Sequence, residues 1–188
     1  MPMNYFKKVV QSNVPNGFRR KVLIDGGFYI GQYTEAYLSK NPGFEVWAFD
    51  PIKIDSQFLS RVHFINQAIW IKDEIKSFYL SHRADAASLI DTRAVDIGRS
   101  IKVDCVDFSY WLKQNFTKDD YIHLKLDIEG AEYQVLQKMI DDGSIDLISE
   151  LVCEWHIKIS RQPNQELHKS LKQQLLSCNN IRLLKDWR

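Results

Sequence analysis

Strands that alternate with helices predict a doubly wound α/β fold, a mainly parallel sheet with helices on both faces. Three observations lead there. Apolar runs such as "KVLID" (21–25) and "YIHLKLD" (121–127) read as strands buried on both sides. Segments with helical periodicity follow them. The acids Asp25, Asp50 and Asp127 end three of the strands, where ligands sit in sheets of this kind.

Taken in order, the strand 21–25 leads through glycines to a helix "TEAYLSK" (34–40), which "NPG" (41–43) stops. "FEVWAFD" (44–50) is a second strand, ended by Pro51, and a short helix at 56–59 leads to a third, "VHFINQAIW" (62–70). "EIKSFYLS" (74–81) alternates polar with apolar residues, as an antiparallel or edge strand does. Residues 82–100 are polar and broken, a long loop. "IKVDCVD" (101–107) is a strand whose last residue, Asp107, is placed to cap the helix "FSYWLKQN".

After the strand 121–127, Ala131, Val135, Leu136, Met139 and Ile140 mark one face of a helix, with Gly143 as its C-cap. A strand at 147–155, a helix at 164–180 and a last strand "IRLLKDW" complete the pattern, with a sheet edge trimmed at the C-terminus. One domain is expected over 1–188, with 1–20 as a lead-in containing a helix from Asn4 to Gln11.

Composition narrows the function classes. A net charge of +1 gives no reason to expect a nucleic-acid partner. No stretch approaches the ~20 apolar residues of a membrane span, and the first twenty residues lack the apolar core of a signal peptide. Lys7, Lys8, Arg19 and Arg20 are weak evidence for a membrane-surface role. Cys105, Cys153 and Cys178 have neither zinc nor disulfide spacing, which points to a reducing, cytoplasmic setting.

The turn "DGGFYIG" narrows the ligand. A dinucleotide site uses G-x-G-x-x-G to set a pyrophosphate on a helix N-terminus. Gly26, Gly27 and Gly31 do not fit that register, and Asp25 would repel the pyrophosphate. Asp25-x-Gly27-x-x-x-Gly31 suits a cationic, phosphate-free nucleoside, and S-adenosylmethionine fits this description. Asp50, one strand over, would accept the two ribose hydroxyls.

"VLIDGGFYIGQYTEAYL", "FEVWAFDP", "NQAIW" and above all "LKLDIEGAEYQVL" resemble the FkbM family of S-adenosylmethionine-dependent methyltransferases, from about Lys21 to His156. The resemblance implies a Rossmann-like class I methyltransferase fold. It implies a cofactor site at Asp25, Gly27 and Gly31, at Asp50, at the adenine-closing Asn66, Gln67 and Ala68, and at Asp127 beside the reactive methyl. Gly26 belongs to the same turn. Glu129, Gly130 and Glu132 complete the acidic motif, and Glu154 and His156 in "CEWH" match an acid and a histidine after the fifth strand. Phe28 and Tyr29 depart from the family's usual "D-x-G-A-N-x-G", and would either roof the cofactor or crowd it.

The activity implied is O-methylation of a hydroxyl on a sugar or other small metabolite, so the partner is a small-molecule or glycan acceptor. A homo-oligomer is compatible with the trimmed edge. His156 is the first candidate base and Asp127 the second. Glu129 and Glu132 read equally well as acids favoured by a helix dipole, Trp155 as packing or as a platform for an acceptor ring. No Asp, Glu and His cluster shows metal spacing, so no metal is expected. The loop 82–100, with Arg83, Arg93 and Arg99, is the expected acceptor-side lid. A non-catalytic binding module and a nicotinamide-dependent oxidoreductase remain as alternatives, the second disfavoured by the glycine register.

Overall fold

The computed structural model describes residues 14, 16–52, 59–82, 86–92, 95–96, 98–158, 164–178 and 181–184. The expected helix at 4–11, Lys7 and Lys8, Arg83 and Arg93 all lie outside them.

Strands β1 (Arg20–Gly26), β2 (Glu45–Phe49), β3 (His63–Ile65), β7 (Asp120–Leu126), β8 (Glu150–Cys153) and β9 (Arg182–Leu183) form one sheet in the order β3-β2-β1-β7-β8-β9. Every pairing in it is parallel. A smaller sheet holds β4 (Ala68–Trp70), β6 (Ser100–Asp107) and β5 (Glu74–Tyr79), in the order β4-β6-β5. The expected antiparallel strand is real: β5 pairs antiparallel with β6.

Strand alternation sorts side chains between the two faces of the large sheet. Val22 and Ile24, Ile122, Leu124 and Leu126 join the main apolar core, with Leu112, Leu136, Met139, Leu171 and Leu175 from the helices. Those helices are α2 (Phe108–Asn115), α3 (Glu132–Asp141) and α4 (Gln165–Ser177). Leu23 and Val152 point the other way, onto Tyr33, Ala36 and Tyr37 of α1 (Gln32–Lys40). Helices therefore cover both faces, as in a doubly wound sheet.

Asp107 caps α2 by accepting from the Tyr110 N–H at 3.0 Å. Gly143, at φ 75°, follows α3 in the left-handed region. Two expectations change. The single strand expected at 62–70 is two, β3 in the large sheet and β4 in the small one, because the chain crosses between sheets at Asn66 and Gln67. The strand expected from 147 starts at Glu150, after a 3₁₀ turn at Ser144–Leu147. The outermost strand, β9, is two residues long within the described chain.

Arg19 and Arg20 both pair with the buried Asp120 carboxylate, at 3.2 and 2.8 Å. Among the described residues no helix is long and apolar enough to cross a membrane.

Candidate active site

Strand order reverses at β1, whose neighbours are β2 on one side and β7 on the other. A cavity opens there, lined by Gly27, Tyr29, Asp50, Gln67, Asp127 and Glu129 among others. Phe49, Ile52, Ile69, Phe78 and Leu89 supply its apolar wall.

Gly27 sets the floor. Its φ is 78°, and a Cβ there would lie 1.9 Å from the Asp127 carbonyl oxygen, so a side chain would both strain the turn and collide with the next strand's exit. Gly31, at φ 81°, begins α1. Gly26 is different: it is a strand residue packed under Ile69 and Leu126, and it is not part of the cavity lining.

The two bulky residues between the glycines part company. Phe28 is buried against Ala48 and edge-on to Phe64, with 6.0 Å between ring centroids. Tyr29 takes φ 50° and lines the cavity, with its N–H donating to Asp50 Oδ2 at 2.8 Å. The other oxygen of Asp50 accepts from the Ile52 N–H at 2.9 Å. Burial raises the Asp50 pKa against these two hydrogen bonds. Asp50 thus braces the rim as well as lining it.

Asn66 donates to the Asp50 carbonyl at 3.0 Å and is not part of the cavity lining, while Gln67 and Ala68 are. The third acid expected in the crevice is not there. Asp25 is fully buried, accepting from Thr34 Oγ1 at 2.7 Å and ion-paired to Lys125 Nζ at 3.0 Å. It lies within β1 and keeps that strand's alternation, pointing with Leu23 toward α1; Asp50 and Asp127 each lie one residue beyond their strands. Sequence reading missed Lys125. Its ammonium also donates to the carbonyls of Gly26 and Gly27, at 3.1 and 2.7 Å, and so holds the turn from below. The signal was a lysine within an otherwise apolar buried strand.

Asp127 belongs to a second group. His156 is 8% exposed, and its Nδ1 lies 2.8 Å from Glu132 Oε1. Its Nε2 faces Glu129 at 3.4 Å, Glu154 at 3.6 Å and Asp127 at 3.7 Å. Glu132 also accepts from the Ile128 and Gly130 N–H groups, both at 2.9 Å, so it clamps the turn beyond serving the helix dipole. Glu129 precedes the helix at φ 54° and reaches this group.

Four carboxylates around one imidazole move both kinds of group. Burial alone would lower the His156 pKa, but the bond to Glu132 and the charges of Glu132, Glu129 and Asp127 raise it to about 9. Burial lifts Glu129 to about 7; His156 opposes the rise and Asp127 adds to it. The sequence shows no metal spacing, yet in the fold ligand atoms of Asp127, Glu129 and His156 lie within 4.8 Å of one another and could hold a cation.

A second cavity, about 560 Å³, adjoins this group and is lined by Ile90, Thr92, Gly130, Tyr133, His156 and Leu167 among others. The described part of the loop 82–100 therefore serves both cavities, Ala87 and Leu89 in one and Ile90 and Thr92 in the other. Ser88 Oγ anchors it to the Glu129 carbonyl at 2.6 Å. Arg99 is exposed.

Trp155 packs against Tyr133 and His168, at 5.6 and 5.0 Å between ring centroids, in neither cavity. His123 is a satisfied core residue between Tyr33 and Glu150, at 2.7 and 2.9 Å.

With this geometry in view, residues 25–182 match the family described as Methyltransferase FkbM domain. The chain belongs to that family. No curated protein and no solved structure matches it. The resemblance in the acidic motif and the glycine turn is thus extended across most of the FkbM chain, from Asp25 through β8 and α4 to Arg182.

Proposed function

We propose that this FkbM protein is an S-adenosylmethionine-dependent O-methyltransferase acting on a hydroxyl of a sugar or small metabolite. One observation carries the reading: a cavity at the strand-order reversal with a bare glycine floor, an apolar wall, and carboxylates of Asp50, Asp127 and Glu129 on its polar side. Among the described residues its lining contains no lysine or arginine to neutralise a pyrophosphate. A phosphate-free nucleoside of net positive charge fits such a donor set; the apolar wall would take its base and Asp50 its ribose hydroxyls.

When bound, the cofactor supplies an activated methyl on a sulfonium and its own leaving group. The chain's part is largely placement. Gly27 lets the backbone approach closely, Asp50 orients the ribose, and the adjoining cavity beside His156 would hold the acceptor. Alignment of acceptor oxygen and methyl carbon is worth roughly 7–11 kcal/mol. The hydroxyl proton passes to the Asp127–Glu129–His156 group as the carbon–oxygen bond forms, which contributes about 10²–10⁴-fold. The free thiols of Cys105, Cys153 and Cys178 suit a reducing, cytoplasmic setting.

Calorimetric titration with S-adenosylmethionine and its demethylated product tests the reading. Binding of both, and methyl transfer to a member of a hydroxylated-metabolite and glycan panel, is the expected result. No binding of either at sub-millimolar ligand would sink it. Binding without transfer to any acceptor, by a chain whose Asp127→Asn variant binds equally well, would leave a non-catalytic module.

A further inference from the structure

We infer that Asp127, Glu129 and His156 form a binding site for one first-row divalent cation of the zinc type, set between the two cavities. The group differs from a patch of surface acids in containing a buried imidazole whose coordinating atom is already aimed. His156 Nδ1 is 2.8 Å from Glu132 Oε1, and a proton held there makes Nε2 the nitrogen left to coordinate. Backbone N–H groups of Ile128 and Gly130 hold that carboxylate in turn. A cation at Nε2 would displace the proton that nitrogen carries in the free imidazolium, and a histidine whose second nitrogen is fixed by a carboxylate is the usual outer support of a metal site.

Nε2 itself makes no hydrogen bond among the described residues, although its side chain is more than nine-tenths buried. The carboxylate oxygens in front of it stand at 3.4 Å for Glu129 and 3.7 Å for Asp127. These separations are long for direct hydrogen bonds. They match the edges of a coordination tetrahedron: bonds of about 2.1 Å at tetrahedral angles place neighbouring ligand atoms about 3.4 Å apart. Ligand atoms of all three residues lie within 4.8 Å of one another.

One nitrogen and two carboxylate oxygens suit zinc and its first-row neighbours better than magnesium or calcium, which take oxygen alone. Three protein ligands leave a fourth position for water or a substrate oxygen, the pattern of catalytic rather than structural sites. Glu154, 3.6 Å from Nε2, adds negative charge beside it. Entry is available from either side, because Asp127 and Glu129 line one cavity and His156 lines the other. Any role of the cation in positioning an acceptor hydroxyl rests on the methyl-transfer reading; the site itself does not.

The test uses the full chain and Co²⁺ as a spectroscopic probe, with Zn²⁺ as competitor. The wild type is expected to take up one Co²⁺ with the strong visible absorption of a tetrahedral site, bleached by one equivalent of Zn²⁺. Its proton NMR spectrum should gain one hyperfine-shifted exchangeable imidazole proton, the one on His156 Nδ1. Glu129→Gln and His156→Gln should each weaken Co²⁺ binding by at least about tenfold, with folding checked by circular dichroism.

No uptake by the wild type at millimolar Co²⁺, uptake unaffected by both substitutions, or bound Co²⁺ without the shifted proton would each overturn the proposal. The last outcome needs no variant, so misfolding of a mutant does not rescue it. A parallel titration with S-adenosylmethionine separates the two readings. Nucleoside binding without Co²⁺ uptake removes the cation site alone. Co²⁺ uptake without nucleoside binding removes the methyl-transfer reading alone.

Discussion

The two ends of β7 each carry a buried aspartate and treat it in opposite ways. At the amino end, Asp120 meets two guanidinium groups, Arg19 and Arg20, and its pKa falls far below the usual carboxylate range, chiefly through the hydrogen bond from Arg20. At the carboxyl end, Asp127 is grouped with Glu129, Glu132 and Glu154 around one imidazole. Between them Lys125 neutralises Asp25. In the first group two guanidinium groups outweigh one carboxylate, and in the middle one Lys125 pairs with Asp25 and also reaches Asp127 at 3.7 Å; both groups hold the fold. The third carries surplus negative charge, which is unfavourable for a bare protein and useful for one that must attract a cation or take up a proton.

The largest expected effect breaks the middle group. Lys125→Met leaves Asp25 buried without its cation and the Gly26 and Gly27 carbonyls without their donor. It should cost about 3–5 kcal/mol in urea-induced unfolding, and restoration of wild-type stability by Lys125→Arg would show that charge rather than shape is responsible. Glu129→Gln should behave oppositely: turnover falls by about 10²–10⁴-fold while the unfolding free energy stays within about 1 kcal/mol of wild type. A stability loss matching that of Lys125→Met would make the carboxyl-end cluster structural.

Asp50→Ala sits between these extremes. It removes a charged acceptor from the crevice and from the Tyr29 and Ile52 N–H groups. At about 1.5–3 kcal/mol for such a bond, S-adenosylmethionine affinity should drop roughly ten- to hundredfold by calorimetry.

The smallest effect belongs to the amino end. The folded Asp120 pKa is depressed, so its contribution is fully present above the unfolded value of about 3.9 and is lost as pH falls toward the folded value. Thermal unfolding between about pH 5 and pH 2 should therefore show a steep acid limb in the wild type and a flatter one in Asp120→Asn. Parallel limbs in the two proteins would remove Asp120 from the account.

The sequence carried the layered fold well, because apolar periodicity and strand-end acids are local signals. β1, β2, β6 and β7 fall where "KVLID", "FEVWAFD", "IKVDCVD" and "YIHLKLD" place them. Asp50 and Asp127 were legible as crevice residues for the same reason. Asp25 was not, although its parity with Leu23 inside β1 pointed to α1. The members of the Glu129–His156 group were legible singly but their grouping was not: they come from the ends of β7 and β8, and only the parallel register of these strands brings them together. Glu129 also reads as a first-turn helix acid until its left-handed φ is known.

Phe28 and Tyr29 show the same limit. Both are large aromatics in place of small residues, yet one fills the core beside Ala48 and the other borders the cavity. What decides between them is the positive φ at Tyr29, which Asp50 holds through a hydrogen bond to its N–H.

The collision of a Cβ at Gly27 with the Asp127 carbonyl has a consequence for altering what this crevice accepts. That glycine joins the exits of two neighbouring strands as a keystone joins two arches, so no side-chain library at position 27 will yield folded variants. Tyr29 and Gln67 border the same space from loops outside the strands, and diversity placed there can reshape the ligand envelope while the arch stays standing.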